Sequence, residues 1–166
     1  MKSRIIYLLV VFIVAGAPQA FAQKEKDKDK QKQKTETLVL VCPFEHGSGR
    51  EPKEAYTWDP PDQKVIMISH VDSIIRSAIN GEVLKVTSTE DDKYEVVIAY
   101  KNYYFWYYNV MKPLVNERQP VKAGQSIGIY KFGDELEFRM FKEMKDAEPQ
   151  MMDPRNLLEC KVEKAE

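Results

Sequence analysis

Two histidines, two cysteines and a few clustered carboxylates carry most of the reactive chemistry in this chain. His46 follows Glu45 in a stretch punctuated by Gly47, Gly49 and Pro52. An imidazole beside a carboxylate in a glycine-rich loop can act on a ligand, and it can equally be an ordinary surface histidine. His70-Val71-Asp72 offers two metal ligands, which do not close a site. Cys42 and Cys160 lie too far apart for a zinc signature. In an oxidising compartment they could form a disulfide tying the two ends of a domain together, and the alternative is a pair of unbonded thiols.

The elements that must position these groups read as strands. Leu38-Val39-Leu40-Val41 is a short apolar run closed by Cys42-Pro43, and Glu45 to Tyr56 is a loop. Trp58 to Asp62 is a turn, and Lys64 to Ser69 is a strand. Asn80-Gly81 is a turn dipeptide suited to positive φ. Strands follow at Glu82–Thr87, Tyr94–Tyr100 and Tyr103–Met111, with a charged tip at Thr89–Lys93 and a turn at Lys101-Asn102. Val121 to Gln125 is a tight turn before a strand at Ser126–Tyr130. Leu136–Phe141 is the last clear strand, and Asp153–Leu158 reads as a short helical turn. No apolar stripe at helical spacing extends far, so the chain predicts a mainly β domain of antiparallel hairpins.

The aromatic run at 103–108 splits by alternation. Tyr104, Trp106 and Tyr108 share one face, and Tyr103, Phe105 and Tyr107 share the other. One face belongs to the core, and the other is either a platform for glycan or peptide or is itself covered.

The N-terminus has a different character. Lys2 and Arg4, the apolar run from Ile5 to Ala15, and Ala20-Phe21-Ala22 make Met1 to Ala22 a secretory signal peptide cleaved before Gln23. The apolar run is short for a bilayer core, which takes about 20 residues, so stable membrane insertion after cleavage is not expected. Gln23 to Thr37 holds six lysines against Glu25, Asp27, Asp29 and Glu36 and no large apolar residue, the composition of a flexible linker. Residues 38–166 then form a single domain with 17 Lys and Arg against 22 Asp and Glu. That mildly acidic balance makes nucleic acid a poor partner.

Five pieces in order resemble the lysostaphin-type (LytM-like) zinc endopeptidases of bacterial cell walls. They are Ser77-Ala78-Ile79-Asn80-Gly81-Glu82-Val83, Tyr107-Tyr108-Asn109-Val110, Val121 to Gly128, Glu135-Leu136-Glu137-Phe138-Arg139, and Asp153-Pro154-Arg155-Asn156-Leu157. The resemblance implies the duplicated-hybrid-motif fold and a cleft that binds zinc through two histidines and an aspartate. It also implies that the chemistry is lost. Asn109, Glu135 and Glu137 stand where the family has histidines, and the upstream ligand pair falls near Asp62 and Ile66. Asn109 cannot serve as a general acid or base, and carboxylates alone suit harder cations than zinc.

The expectation is therefore a degenerate, non-catalytic member without zinc or another cofactor, exported to the periplasm or the extracellular space. Its remnant cleft at Asn109, Glu135, Glu137 and Tyr107 would bind a cell-envelope protein or a peptidoglycan fragment, as an amidase activator or a scaffold. The alternatives are an active cell-wall metallopeptidase whose metal set includes His46 or His70, and a carrier-type β domain. The second lacks a Met-Lys-Met tip, Met111-Lys112-Pro113 being the nearest approach.

Overall fold

The computed structural model describes residues 38–53 and 61–164. The signal peptide, the linker and most of the Trp58 turn lie outside the described residues. Within them the chain is all β, without a helix.

The strands in chain order are β1 (Ser48–Arg50), β2 (Val65–Ile68), β3 (Ile74–Arg76), β4 (Gly81–Ser88), β5 (Tyr94–Tyr100) and β6 (Tyr103–Val110). They continue as β7 (Lys112–Pro113), β8 (Pro120–Val121), β9 (Ser126–Ile129), β10 (Leu136–Met144), β11 (Ala147–Met152) and β12 (Val162–Glu163). Nine of them form one sheet in the order β12-β1-β2-β10-β6-β5-β4-β8, with β11 also paired to β10. A smaller sheet runs β3-β9-β7. All pairings are antiparallel except β1 with β12.

Alternation decides which side chains enter the core. Leu136, Phe138 and Met140 of β10 and Phe105 and Tyr107 of β6 are buried, as are Ile75 and Ile127 of the small sheet. Phe138 stacks near both aromatic neighbours, its ring centroid 5.1 Å from Tyr107 and 6.3 Å from Phe105. Two glycines are fixed by space or angle. A Cβ on Gly128 would come 2.5 Å from Val110 Cγ1, so β9 can pass this close only as glycine. Gly124, at φ +78°, is the third residue of a turn closed by Gln125 N–H donating to Lys122 O at 3.0 Å.

Several expectations need correction. The Leu38–Val41 run is not a strand, and Leu40 makes one isolated bridge to Leu158. The run divides its hydrogen bonds between two segments, with Leu40 N–H donating to Leu157 O and Val41 N–H to Ala78 O. Asn80 and Gly81 are not at positive φ. Gly81 opens β4, where a Cβ would meet Ala99 O at 2.4 Å. The Asp153 segment is a turn and not a helix, with Leu157 and Leu158 N–H both donating to Pro154 O. The loop after Glu45 contains β1, and β11 and β12 follow β10, the last strand expected from the sequence. Cys42 and Cys160 are disulfide-bonded, with Cα atoms 5.4 Å apart.

Candidate functional site

β10 changes partner along its length. Leu136 to Phe138 pair with β2, and Met140 to Met144 pair with β11 on the same side. β2 and β11 therefore diverge around Arg139, and a cavity of about 840 Å3 opens there. Glu135, Glu137 and Arg139 line it from β10 and its approach, Asp62, Lys64 and Ile66 from β2 and its approach, and Arg50 from β1. Ile66 faces Glu137 across the β2–β10 ladder, and Tyr108 faces Glu137 across β10–β6.

The ladder thus brings Asp62, Ile66, Glu135 and Glu137 to one place. What occupies the space between the carboxylates is a pair of cationic side chains. Lys64 Nζ lies 3.1 Å from Glu137 Oε1 and 3.5 Å from Asp62 Oδ2. Arg139 Nη2 donates to Glu137 Oε2 at 3.0 Å and lies 3.9 Å from Asp62 Oδ2. Arg50 Nη2 donates to Glu135 Oε1. Asp62 also accepts the Lys64 backbone N–H at 3.0 Å, which fixes the approach to β2. Arg139 lies over the Tyr108 ring, 5.5 Å from its centroid, and its Nε is buried without a hydrogen-bond partner. An unmet donor of that kind costs about 1–3 kcal/mol.

These residues do not fit the zinc that the resemblance implies. Each carboxylate near the position already faces an ammonium or guanidinium group, so a dication would sit against two resident positive charges. Among the described residues no group of three or more His, Cys, Asp and Glu is arranged to hold a metal ion.

Asn109 owes its place to a bulge. Tyr94 pairs with Val110 and Val96 with Tyr107, so β6 carries one extra residue opposite Glu95. Asn109 takes the left-handed conformation there, at φ +67°, and its Nδ2 donates to Glu135 O at 3.0 Å. Asparagine tolerates that conformation better than most residues.

Tyr107 requires a correction, because it belongs to the core and not to the cleft wall. It is 0% exposed, and its hydroxyl accepts the Ala78 N–H at 2.7 Å. Burial pushes its hydroxyl well above the ordinary tyrosine range. Tyr108, its neighbour on the outer face, is pushed up to about 12, first by burial and then by the charge of Glu95.

The outer face of β6 continues the cavity. Trp106 packs against Tyr108 with centroids 5.5 Å apart and against Phe141 at 5.2 Å. Trp106 and Phe141, with Tyr104, Leu84, Val97 and Pro149, line a second, mostly apolar space of about 620 Å3. Phe141 and Pro149 border both spaces, so the cationic cavity and the aromatic shelf adjoin.

The histidines stand apart from this constellation. His46 is exposed and hydrogen-bonds Asp72, through its backbone N–H at 2.8 Å and with Nδ1 at 3.4 Å, while Glu45 pairs with Arg76. His70 is exposed. Burial opposes the Asp72 charge, but hydrogen bonds from the His46 backbone and the Ser69 side chain hold its carboxyl below the usual aspartate value.

Sequence reasoning missed Lys64, Arg139 and Arg50 as site residues. One signal was available, since Arg139 lies two residues after Glu137 and shares its strand face. Lys64 reaches Glu137, and Arg50 reaches Glu135, only through the fold.

No protein-family profile and no curated protein matches the chain. Solved structures do. The chain is similar to cbpa from L. salivarius REN, at 18% identity and TM-score 0.55, over 72% of this chain and 94% of that one. It is similar to a chain of the SpoIIQ–SpoIIIAH pore-forming complex, at 15% identity and TM-score 0.53, over 74% and 92%. The catalytic domain of the antimicrobial peptidase lysostaphin from Staphylococcus simulans matches at 18% identity and TM-score 0.47, over 57% and 76%. The described residues are all β with mainly antiparallel sheets, a fold shared with the cbpa chain and the chain of the SpoIIQ–SpoIIIAH complex, both above a TM-score of 0.5.

Proposed function

We propose that this chain is an exported, non-catalytic peptidase-like module that binds a protein partner or a peptidoglycan fragment in the cell envelope. The observation that carries this reading is the ion-pair cluster of Asp62, Lys64, Glu137 and Arg139. Lysine and arginine sit between the carboxylates where the resemblance implies zinc. Three protein ligands and an open position are what a catalytic zinc needs to generate its nucleophile. A cavity adjoining an aromatic shelf lies beside these residues, which supports a binding role. A chain of this fold also occurs in a two-protein pore-forming complex, so partner binding is within the repertoire of the fold.

Metal content tests the reading. The purified protein is dialysed against zinc and then against buffer, and its zinc is measured by atomic emission. The expected result is below about a tenth of an equivalent, because a family-type zinc site survives dialysis. A value near one equivalent would overturn the reading and make His46 and His70 the first residues to substitute.

A further inference from the structure

The cavity and the shelf together have a polarity. At one end stand the cations of the sheet split, and at the other stand Trp106, Tyr104 and Phe141. The cationic end has capacity left over. The hydrogen bonds and ion pairs of Arg139 run through Nη2, while Nε is buried without an acceptor. Among the described residues, Arg50, Lys53, Lys64 and Arg139 line the cavity against Asp62, Glu135 and Glu137, one cation more than anions. An anionic group is therefore the complement of this end. The apolar end, at about 620 Å3, is too large for a methyl group and suits an aromatic or long aliphatic side chain.

We infer that the groove captures the free C-terminus of a protein partner whose last residue is large and apolar, with its carboxylate at Arg139 and its side chain on Trp106. The inference rests on the binding-module reading above and names the chemistry of the partner. A planar guanidinium recognises a carboxylate through paired N–H donors, which a lone ammonium does not reproduce. The aromatic faces of Trp106 and Phe141 supply the apolar contact.

The test is a titration of the protein with alanyl-phenylalanine, its C-terminal amide and alanyl-alanine, followed by backbone amide shifts of β6 and β10 in NMR spectra. The free acid is expected to bind at least about ten-fold tighter than the amide and than alanyl-alanine. Arg139→Gln should bring the acid down to the level of the amide. Arg139→Lys, which keeps the charge without the fork, should retain only part of the preference, and it serves if the glutamine variant melts early. Trp106→Ala should weaken the acid and the amide alike. Equal binding of acid and amide, or an undiminished preference in both Arg139 variants, would overturn the inference. Alanyl-alanine binding as tightly as alanyl-phenylalanine would do the same and would point to small-residue wall peptides. Zinc content is independent of all these readouts, so failure here leaves the non-catalytic reading standing on its own test.

Discussion

Lys64 Nζ lies 3.1 Å from Glu137 Oε1, joining residues 73 positions apart in sequence across the mouth of the split sheet. Both side chains are part-buried, at 18% and 26% exposure, so the pair is shielded from solvent more than a surface salt bridge. Lys64→Met and Glu137→Gln should each lower stability, by about 1 kcal/mol. A double-mutant cycle read from urea unfolding should return a coupling of about 0.5–1.5 kcal/mol. Strict additivity would show that the two groups do not act together.

Asn109 is held in the left-handed region by its bulge, and its side chain ties β6 to the backbone of Glu135. Asn109→Ala loses both the conformational tolerance and the hydrogen bond, and should cost about 1–3 kcal/mol. Asn109→Gly keeps the tolerance and should cost less than the alanine variant. The comparison is made from urea midpoints at unchanged m-value, and a glycine variant weaker than alanine would refute the role given to the backbone angle.

Tyr107 and Trp106 are adjacent in sequence and opposite in consequence. Tyr107→Phe leaves the buried Ala78 N–H without its acceptor and should cost about 1–3 kcal/mol of stability. Trp106→Ala acts on the outer face, where it should weaken ligand binding more than it weakens the fold. Thermal melts and the peptide titration separate the two effects. A Tyr107→Phe variant as stable as the parent would mean that another acceptor, or water, satisfies Ala78.

The Asp72 carboxyl titrates below its usual 3.8 in the folded chain. Its contribution is therefore complete above the unfolded value and is lost as the pH falls through the folded one. Unfolding midpoints should drop as the pH falls below about 4, and Asp72→Asn should flatten that part of the profile. An unchanged acid limb would assign the loss to other carboxylates, Asp153 beside Arg155 first among them.

The legible part of the molecule was whatever alternates over five or more residues. β4, β5, β6 and the first half of β10 could be read directly, and so could the division of β6 into a core face and an outer face. β11 could not, because Ala-Glu-Pro-Gln-Met-Met has neither alternation nor β propensity and forms only as an exposed strand along β10. β1 and β12 are too short to carry a period and exist through each other and β2. Tyr107 was misplaced because the resemblance set its role, whereas alternation alone had put it opposite Trp106. The ion-pair cluster was hidden for a topological reason. Its members are local in pairs, Asp62 with Lys64 and Glu137 with Arg139, and become one site only when β2 pairs with β10.

The staple near both ends of the domain sets how it would bear a load. Cys42 is bonded to Cys160, Leu40 bridges Leu158, and β1 lies beside β12, so the first and last parts of the domain are fastened to each other. A pull entering at Leu38 and leaving at Lys164 meets the covalent link after four residues on one side and four on the other. The tension passes from chain to chain through sulfur and, apart from the short β12–β1 pairing outside the link, bypasses the ladders of the nine-stranded sheet. A domain fastened in this way can be tugged by its ends without unzipping the strands that shape its groove.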